Sequence, residues 1–244
     1  MAPDAPILTI VIPAYQEEKR IGPTLHKLAD YLARKPLGSA DIEVILVSGG
    51  STDGTVTIAR QYENKLAAKF TVLDLPEARG KGAAVRAGML ASSGRYVLFT
   101  DADLAYEPKL FGDFIRQLES GADIVIAQRT NETKYAGLTR RMVAMASRFA
   151  FERFITPGIA DTQAGLKAFT QAPAKDVFSL QRINGFIFDV EILVLAQRRK
   201  YRLEKTFVSW KDNPDSTVRL TRDCTRAALD LLKFYWRLAA GKYG

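Results

Sequence analysis

Four short runs do most to restrict the fold of this chain. Ile7 to Ala14, Ile42 to Val47, Tyr96 to Thr100 and Asp123 to Ala127 are almost unbroken in apolar residues, many of them β-branched, and each is bounded by turn formers. A strand with one wet face alternates polar and apolar side chains, so runs without alternation need cover on both faces. Helical patterns separate them. Ile21, Leu25, Leu28 and Leu32 follow helical spacing, and Gly54 to about Ala68, Lys81 to Ala91 and Pro108 to Leu118 read as further helices, with Phe70 to Leu75 as another strand. Buried strands alternating with helices predict an α/β fold with a mostly parallel central sheet. In such sheets ligands sit beyond the carboxyl ends of the strands, so residues just after each strand are the first candidates for function.

Composition removes several alternatives. The chain has 244 residues, 47% of them hydrophobic, which is enough to bury the core of one domain. A single cysteine, Cys224, excludes an intramolecular disulfide framework and every thiolate zinc cage, and favours a reducing compartment. A single histidine, His26, excludes two-histidine metal sites. The first residues, MAPDAPILTIVIPAY, lack a basic leader and are broken by Pro13, so they do not read as a signal peptide. No stretch approaches the roughly 20 apolar residues of a membrane-spanning helix.

The second half differs in rhythm and charge. Leu138 to Ile155 reads as an amphipathic helix, residues 185 to 198 as another, Tyr201 to Trp210 as a strand, and Arg222 to Lys242 as a last helix. In that last helix Ala228, Leu231, Leu232, Tyr235 and Leu238 follow helical spacing, with Arg226, Lys233, Arg237 and Lys242 around them. Trp and Tyr between an apolar face and cations suit a helix lying in a membrane interface, and a helix packed on its own domain is the alternative. Residues 1 to 122 carry 14 Lys and Arg against 15 Asp and Glu, while residues 123 to 244 carry 21 against 12. All of the net +8 therefore belongs to the second half, which suggests either an anionic partner or a solvated basic surface.

Two motifs follow strands. Asp101-Ala102-Asp103 comes directly after YVLFT, where two carboxylates one residue apart can turn toward one hard cation such as Mg2+ or Mn2+ and share it with phosphate oxygens. Helix capping is the plainer use of such a pair. Arg79-Gly80-Lys81-Gly82 opens a helix, and its glycines and cations suit an anion at the helix start or a simple turn. It is neither the dinucleotide fingerprint nor a Walker loop.

Taken together, TIVIPAYQEEKRI, VSGGSTDGT, RGKGAAVRAGML, FTDADL, DIVIAQR, DTQAGLKAF and GFIFDVEIL resemble, in this order, the motifs of family-two inverting glycosyltransferases. The chain is most similar to polyprenyl-phosphate (dolichyl-phosphate) β-glucosyltransferases, with polyprenyl-phosphate mannosyl synthases as near relatives. The resemblance implies a GT-A-type three-layer sandwich followed by C-terminal amphipathic helices. Within that one structural domain it implies a nucleotide-sugar-binding half, residues 1–130, and an acceptor half, residues 131–244. It implies a metal-dependent hexosyltransferase, peripheral to the cytoplasmic face of a membrane, that moves a sugar, glucose first, from a nucleotide-diphosphate sugar to a polyprenyl or dolichyl phosphate. Nucleic acid is not an expected partner.

Carried over motif by motif, Pro13, Ala14, Tyr15 and Glu17 resemble the first nucleotide-binding loop, Ser48 stands in the second, and Lys81 resembles the basic residue near the base and phosphates. Asp101 and Asp103 resemble the Mg2+ or Mn2+ ligands, with Ala102 between them against the nucleotide sugar. Arg129, Arg140 and Arg141 resemble the arginines that hold the acceptor phosphate, and Asp161, Gln163 and Asp189 fall where the family lines its sugar and acceptor pocket. Asp103 and Asp189 are thus the expected catalytic residues. One departure is plain: the second loop usually carries two aspartates, and here Val47-Ser48-Gly49-Gly50-Ser51 has none. That loop motivates a second reading, a catalytically impaired nucleotide-sugar-binding protein. A transferase acting on a saccharide or protein hydroxyl is a third, and it needs a base, for which Asp189 is the candidate.

Overall fold

The computed structural model describes residues 6–34, 41–130, 155–209 and 220–243, with the side chains of 220–228 left out. Seven strands form one sheet: β1 (Leu8–Ala14), β2 (Ile42–Ser48), β3 (Lys69–Asp74), β4 (Tyr96–Phe99), β5 (Ile124–Arg129), β6 (Lys167–Thr170) and β7 (Leu203–Val208), in the order β3-β2-β1-β4-β6-β5-β7. Only β6 runs antiparallel to its neighbours β4 and β5. The remaining pairs are parallel. The helices are α1 (Glu18–Ala33), α2 (Thr55–Arg60), α3 (Lys81–Ala91), α4 (Leu110–Glu119), α5 (Gln171–Leu180), α6 (Phe188–Arg198) and α7 (Leu220–Ala239).

The unbroken apolar runs are explained by two cores, one on each side of the sheet. Leu8, Ile10 and Ile12 of β1 join Val44 and Leu46 of β2 against Leu25 and Leu28 of α1 and Phe111 and Phe114 of α4. Their alternates, Val11, Ile45 and Val47, join Val85 and Met89 of α3, Val177 and Phe178 of α5, and Ile192 and Leu195 of α6. Because successive strand side chains point to opposite faces, both sets must be apolar. The result is the expected three-layer α/β sandwich. Phe99, Phe169, Phe178 and Phe188 pack ring on ring in the second core, with centroids between 5.4 and 6.3 Å apart.

Several expectations shift. The predicted helix from Gly54 ends at Arg60 and continues as turns. The strand β6 stands in a stretch read above only as part of the motif DTQAGLKAF, and the helix α5 stands where no element was expected. The helix expected from Leu138 to Ile155 falls almost wholly outside the described residues. At the edges, β3 and β7 are only partly buried, as strands with one neighbour are. Strand order places the site: from β1 the chain moves on to β2 on one side and from β4 toward β5 on the other, and in such sheets the ligand crevice is expected at the carboxyl ends of the two strands where the order reverses.

Candidate active site

Two loops frame one wall of that crevice. After β1, Pro13 and Ala14 are buried as strand residues, whereas the Tyr15 ring is 62% exposed. Gln16 adopts φ of 56°, and its backbone N–H donates to Ser51 Oγ at 3.1 Å while its amide donates to Thr52 Oγ1 at 2.8 Å. Asp53 accepts from the backbone of Glu18 and of Thr55, both at 3.1 Å, and so caps the starts of α1 and α2 together. Burial raises its pKa, but the hydrogen bonds from the Thr55 hydroxyl and from the Glu18 and Thr55 backbone together outweigh it and hold the carboxyl below its ordinary value. Glu17 pairs with Arg20 at 2.6 Å, and burial still raises its carboxyl.

The Gly49-Gly50 pair of the second loop has a structural cause. A Cβ at Gly49 would stand 2.6 Å from the Ala78 carbonyl oxygen, and Gly50 has φ of 79°. Ser48, expected at the nucleotide, is wholly buried, and its hydroxyl accepts from Ser51 N–H at 3.4 Å. Its side chain is thus turned toward Ser51 within the turn.

Asp101 and Asp103 stand at the crevice. The Asp101 carboxylate is held between Lys81, whose ammonium lies 2.6 Å from Oδ1, and the backbone of Gly165 in the DTQAG loop, where a Cβ would stand 1.9 Å from Oδ2. Asp103 Oδ1 accepts from Ala105 N–H at 3.1 Å, and Thr24 of α1 donates to the Ala102 carbonyl at 2.6 Å. Burial would lower the Lys81 pKa, but Asp101, Asp189 and Asp103 together raise it. Lys81 is therefore a cation at any physiological pH.

The glycines of Arg79-Gly80-Lys81-Gly82 serve a different purpose from the expected cradle. Side chains at Gly80 and Gly82 would strike the carbonyl oxygens of Asn184 and Ile183, at 2.4 and 2.5 Å. Arg86 donates to the Gln181 carbonyl at 2.9 Å. The start of α3 is thus packed on residues 181–185, and only Lys81 of this motif meets an acid of the site.

On the far wall, Arg129 at the end of β5 grips Asp161 with two bonds, Nε to Oδ2 at 2.6 Å and Nη2 to Oδ1 at 2.8 Å. Burial pushes the Asp161 carboxyl up, and the guanidinium outweighs it and holds it below the usual range. Gln163 is exposed, whereas Asp189 is buried, and its Oδ1 receives Lys167 Nζ at 2.5 Å. The Asp189 carboxyl is raised by burial against the pull of Lys167 and Lys81. Its carboxylate is thereby paired with Lys167 inside the site, within the field of Lys81. Arg140 and Arg141 lie outside the described residues.

Two participants were missed. Lys167 is fully buried, and its ammonium also donates to the carbonyls of Thr162 and Ala164 at 3.0 and 2.7 Å, so it braces the DTQAG loop from below. A lysine in the apolar run LKAF was the available signal. Tyr106 is also buried there, its hydroxyl accepting from Gly165 N–H, and burial pushes its phenol up.

With this geometry in view, comparison with known proteins is decisive. Residues 9–178 match the family described as Glycosyl transferase family 2. The chain belongs to that family and is a glycosyltransferase. It is 34% identical to the dolichyl-phosphate β-glucosyltransferase of Drosophila melanogaster, over 97% of this chain and 76% of that protein. It is 32% identical to the enzyme of that name from Saccharomyces cerevisiae, over 92% and 73%, and 30% to that of Homo sapiens, over 95% and 78%. Among solved structures it resembles mannosyl-3-phosphoglycerate synthase from Rubrobacter xylanophilus, with a TM-score of 0.69 at 17% identity over 97% of this chain and 75% of that one. It also resembles glucosyl-3-phosphoglycerate synthase from Mycobacterium tuberculosis, solved with Mn2+, UDP and its product, with a TM-score of 0.67 at 22% identity over 94% and 80%. At these identities the structures establish the fold, which is of the expected GT-A type.

Proposed function

We propose that this glycosyltransferase moves glucose from UDP-glucose to a polyprenyl or dolichyl phosphate with inversion at the anomeric carbon. The observation that carries the reading is the Asp101 carboxylate, held at the β1/β4 crevice between Lys81 and Gly165. The names of the curated relatives support the donor and the acceptor class.

The donor set fits Mg2+ or Mn2+. Asp101 and Asp103 offer hard carboxylate oxygens in one loop, and a group of three or more candidate ligand side chains does not occur among the described residues, so diphosphate oxygens are needed to complete the shell. Asp101 and Asp103 would hold the ion, which supplies positive charge to the departing diphosphate. Lys81 adds a fixed ammonium on the same side. The exposed Tyr15 ring at the end of β1 offers a face for the base, beside the buried Pro13 and Ala14.

The acceptor needs no general base. A phosphate monoester has its second pKa near about 6, so at neutral pH its oxygen is already ionised. That oxygen attacks C1, the C1–O bond to the diphosphate breaks, and UDP departs with the electron pair. The pairing of Asp189 with Lys167 favours this acceptor over a hydroxyl, which would need a base in its place. Arg129 is the described arginine for the acceptor phosphate, prearranged by Asp161, with the exposed Gln163 at the mouth and Arg140 and Arg141 as further candidates. We assign the nucleotide sugar to residues 1–130 and the acceptor to residues 131–244, with Arg129 at the boundary reaching across to Asp161.

Among the described residues no helix is long and apolar enough to cross a membrane. We place the enzyme peripherally at the cytoplasmic face of the acceptor's membrane. On α7, Phe234 is buried in the second core while Leu229, Leu232 and Trp236 point outward, and Lys242 lies 4.3 Å over the Trp236 ring. An outward apolar row flanked by cations fits a lipid interface.

Mass spectrometry of the lipid product, with each common sugar nucleotide offered alongside polyprenyl phosphate, tests the assignment. A hexosyl-phosphate lipid formed from UDP-glucose in preference to other donors is expected, and a different preferred donor would overturn the glucose assignment. The absence of acid from the second loop favours one rival, a protein that binds UDP-sugars without transfer, and the same experiment would return no lipid product for it.

A further inference from the structure

The helix α7 is joined to the donor side of the site by buried contacts that the proposed chemistry does not use. Phe234 meets the Tyr243 ring edge-on, with centroids 5.4 Å apart. The Tyr243 hydroxyl donates to Glu191 Oε1 and accepts from Arg237. Glu191, in the first turn of α6, is wholly buried. Its carboxylate also accepts from Arg182 N–H at 3.0 and 3.1 Å and from Ile183 N–H at 2.8 Å. A carboxylate in the interior is costly unless donors surround it, and these do.

The loop so held, residues 181–185, is the surface on which α3 begins. The Asn184 carbonyl accepts from Ala83 N–H at 3.3 Å, and the Gln181 amide donates to the Gly82 carbonyl at 2.9 Å. Gly80 and Gly82 lack side chains where Asn184 and Ile183 press on them. Lys81 lies between these glycines, with its ammonium on Asp101. Across the same loop, Asp230 of α7 borders Gly185, where a Cβ would stand 3.3 Å from Oδ2.

We propose that Glu191 and Tyr243 are positioning residues for the donor: they hold residues 181–185 against the start of α3, fix where Lys81 meets Asp101, and tie that geometry to the seating of α7. The donor half of this inference rests on the reading of Lys81 and Asp101 as the nucleotide-diphosphate site. Linkage makes the effect reciprocal, so a bound nucleotide firms the docking of α7 as much as docked α7 firms the nucleotide site.

Tyr243→Phe keeps the ring against Phe234 and removes the hydroxyl, and Glu191→Gln keeps the shape and removes the charge. Hydrogen exchange read by mass spectrometry is expected to quicken in peptides covering 181–185 and 80–84 of both variants, with β1 and β2 unchanged. Calorimetry is expected to show UDP with Mn2+ binding about fivefold more weakly, the range of effects transmitted through packed networks. Exchange unchanged at 181–185 and 80–84, or raised evenly over the whole chain, would overturn the proposal whatever the enzyme's substrate. Local quickening with undiminished UDP affinity would overturn its donor half. Failure of the unsubstituted chain to bind UDP would instead overturn the functional reading on which that half rests.

Discussion

A Cβ on Gly165 would stand 1.9 Å from Oδ2 of Asp101, so the DTQAG loop and the Asp101 carboxylate occupy adjoining space with no room for a methyl group. Gly165 thereby fixes where the Asp101 carboxylate can sit. Gly165→Ala is expected to displace Asp101 and to lower kcat by about a hundredfold, as misplacements near 1 Å do. Steady-state kinetics beside a far-ultraviolet circular dichroism spectrum check this, and full turnover in the variant would show that Asp101 has room to adjust.

Lys167 and Asp189 form a buried ion pair, and removing Lys167 leaves Asp189 with only the more distant Lys81. Lys167→Met is expected to destabilise the fold by about 3–5 kcal/mol, because an uncompensated charge is left buried. The double change Lys167→Met with Asp189→Leu removes both charges and is expected to recover most of that loss. Urea unfolding of the three proteins measures it.

Arg129 holds the Asp161 carboxyl below its ordinary value of 3.8. A depressed carboxylate contributes stability that is fully present above the unfolded value and is lost as pH falls through the folded one. The enzyme is therefore expected to lose stability on acidification below about pH 4, near the ordinary aspartate value. In Asp161→Asn this part of the acid loss disappears and stability at pH 7 is lower. Thermal unfolding between pH 2.5 and 7, a span of about 4.5 units around the aspartate range, reads both effects.

The outward row on α7 predicts salt-sensitive binding to anionic vesicles. Leu232→Glu with Trp236→Glu is expected to weaken vesicle flotation at least about tenfold, since each exposed apolar side chain that enters the interface contributes on the order of 1.5 kcal/mol or more. Flotation that ignores these changes and ignores salt would place the membrane contact elsewhere on the chain.

Much of the sheet was legible because its cause is local. Two-sided burial writes itself into β1, β2, β4 and β5 as unbroken apolar runs, and the Ala-rich segment from Lys81 to Ala91 makes α3 with the expected bounds. What escaped depends on partners distant in the chain. Gly80 and Gly82 read as a cradle for an anion, yet their constraint comes from Asn184 and Ile183. The Asp189 ion pair was not legible because its lysine stands 22 residues earlier, inside a strand too short to announce itself. The bond between Ser48 and Ser51 follows from backbone geometry that Gly49 and Gly50 permit.

In the proposed reaction Asp101 and Asp103 would hold an Mg2+ or Mn2+ ion, which would offset the charge of the departing UDP. Transfer of labelled glucose from UDP-glucose to polyprenyl phosphate in the presence of Mn2+, compared between the unsubstituted chain and Asp103→Ala, tests it most directly. Labelled lipid from the former, and a loss of at least about a hundredfold in the latter with an unchanged circular dichroism spectrum, is predicted on the scale of one removed electrostatic contact to the transition state. Equal turnover in both proteins, or no labelled lipid from the unsubstituted chain, would contradict it.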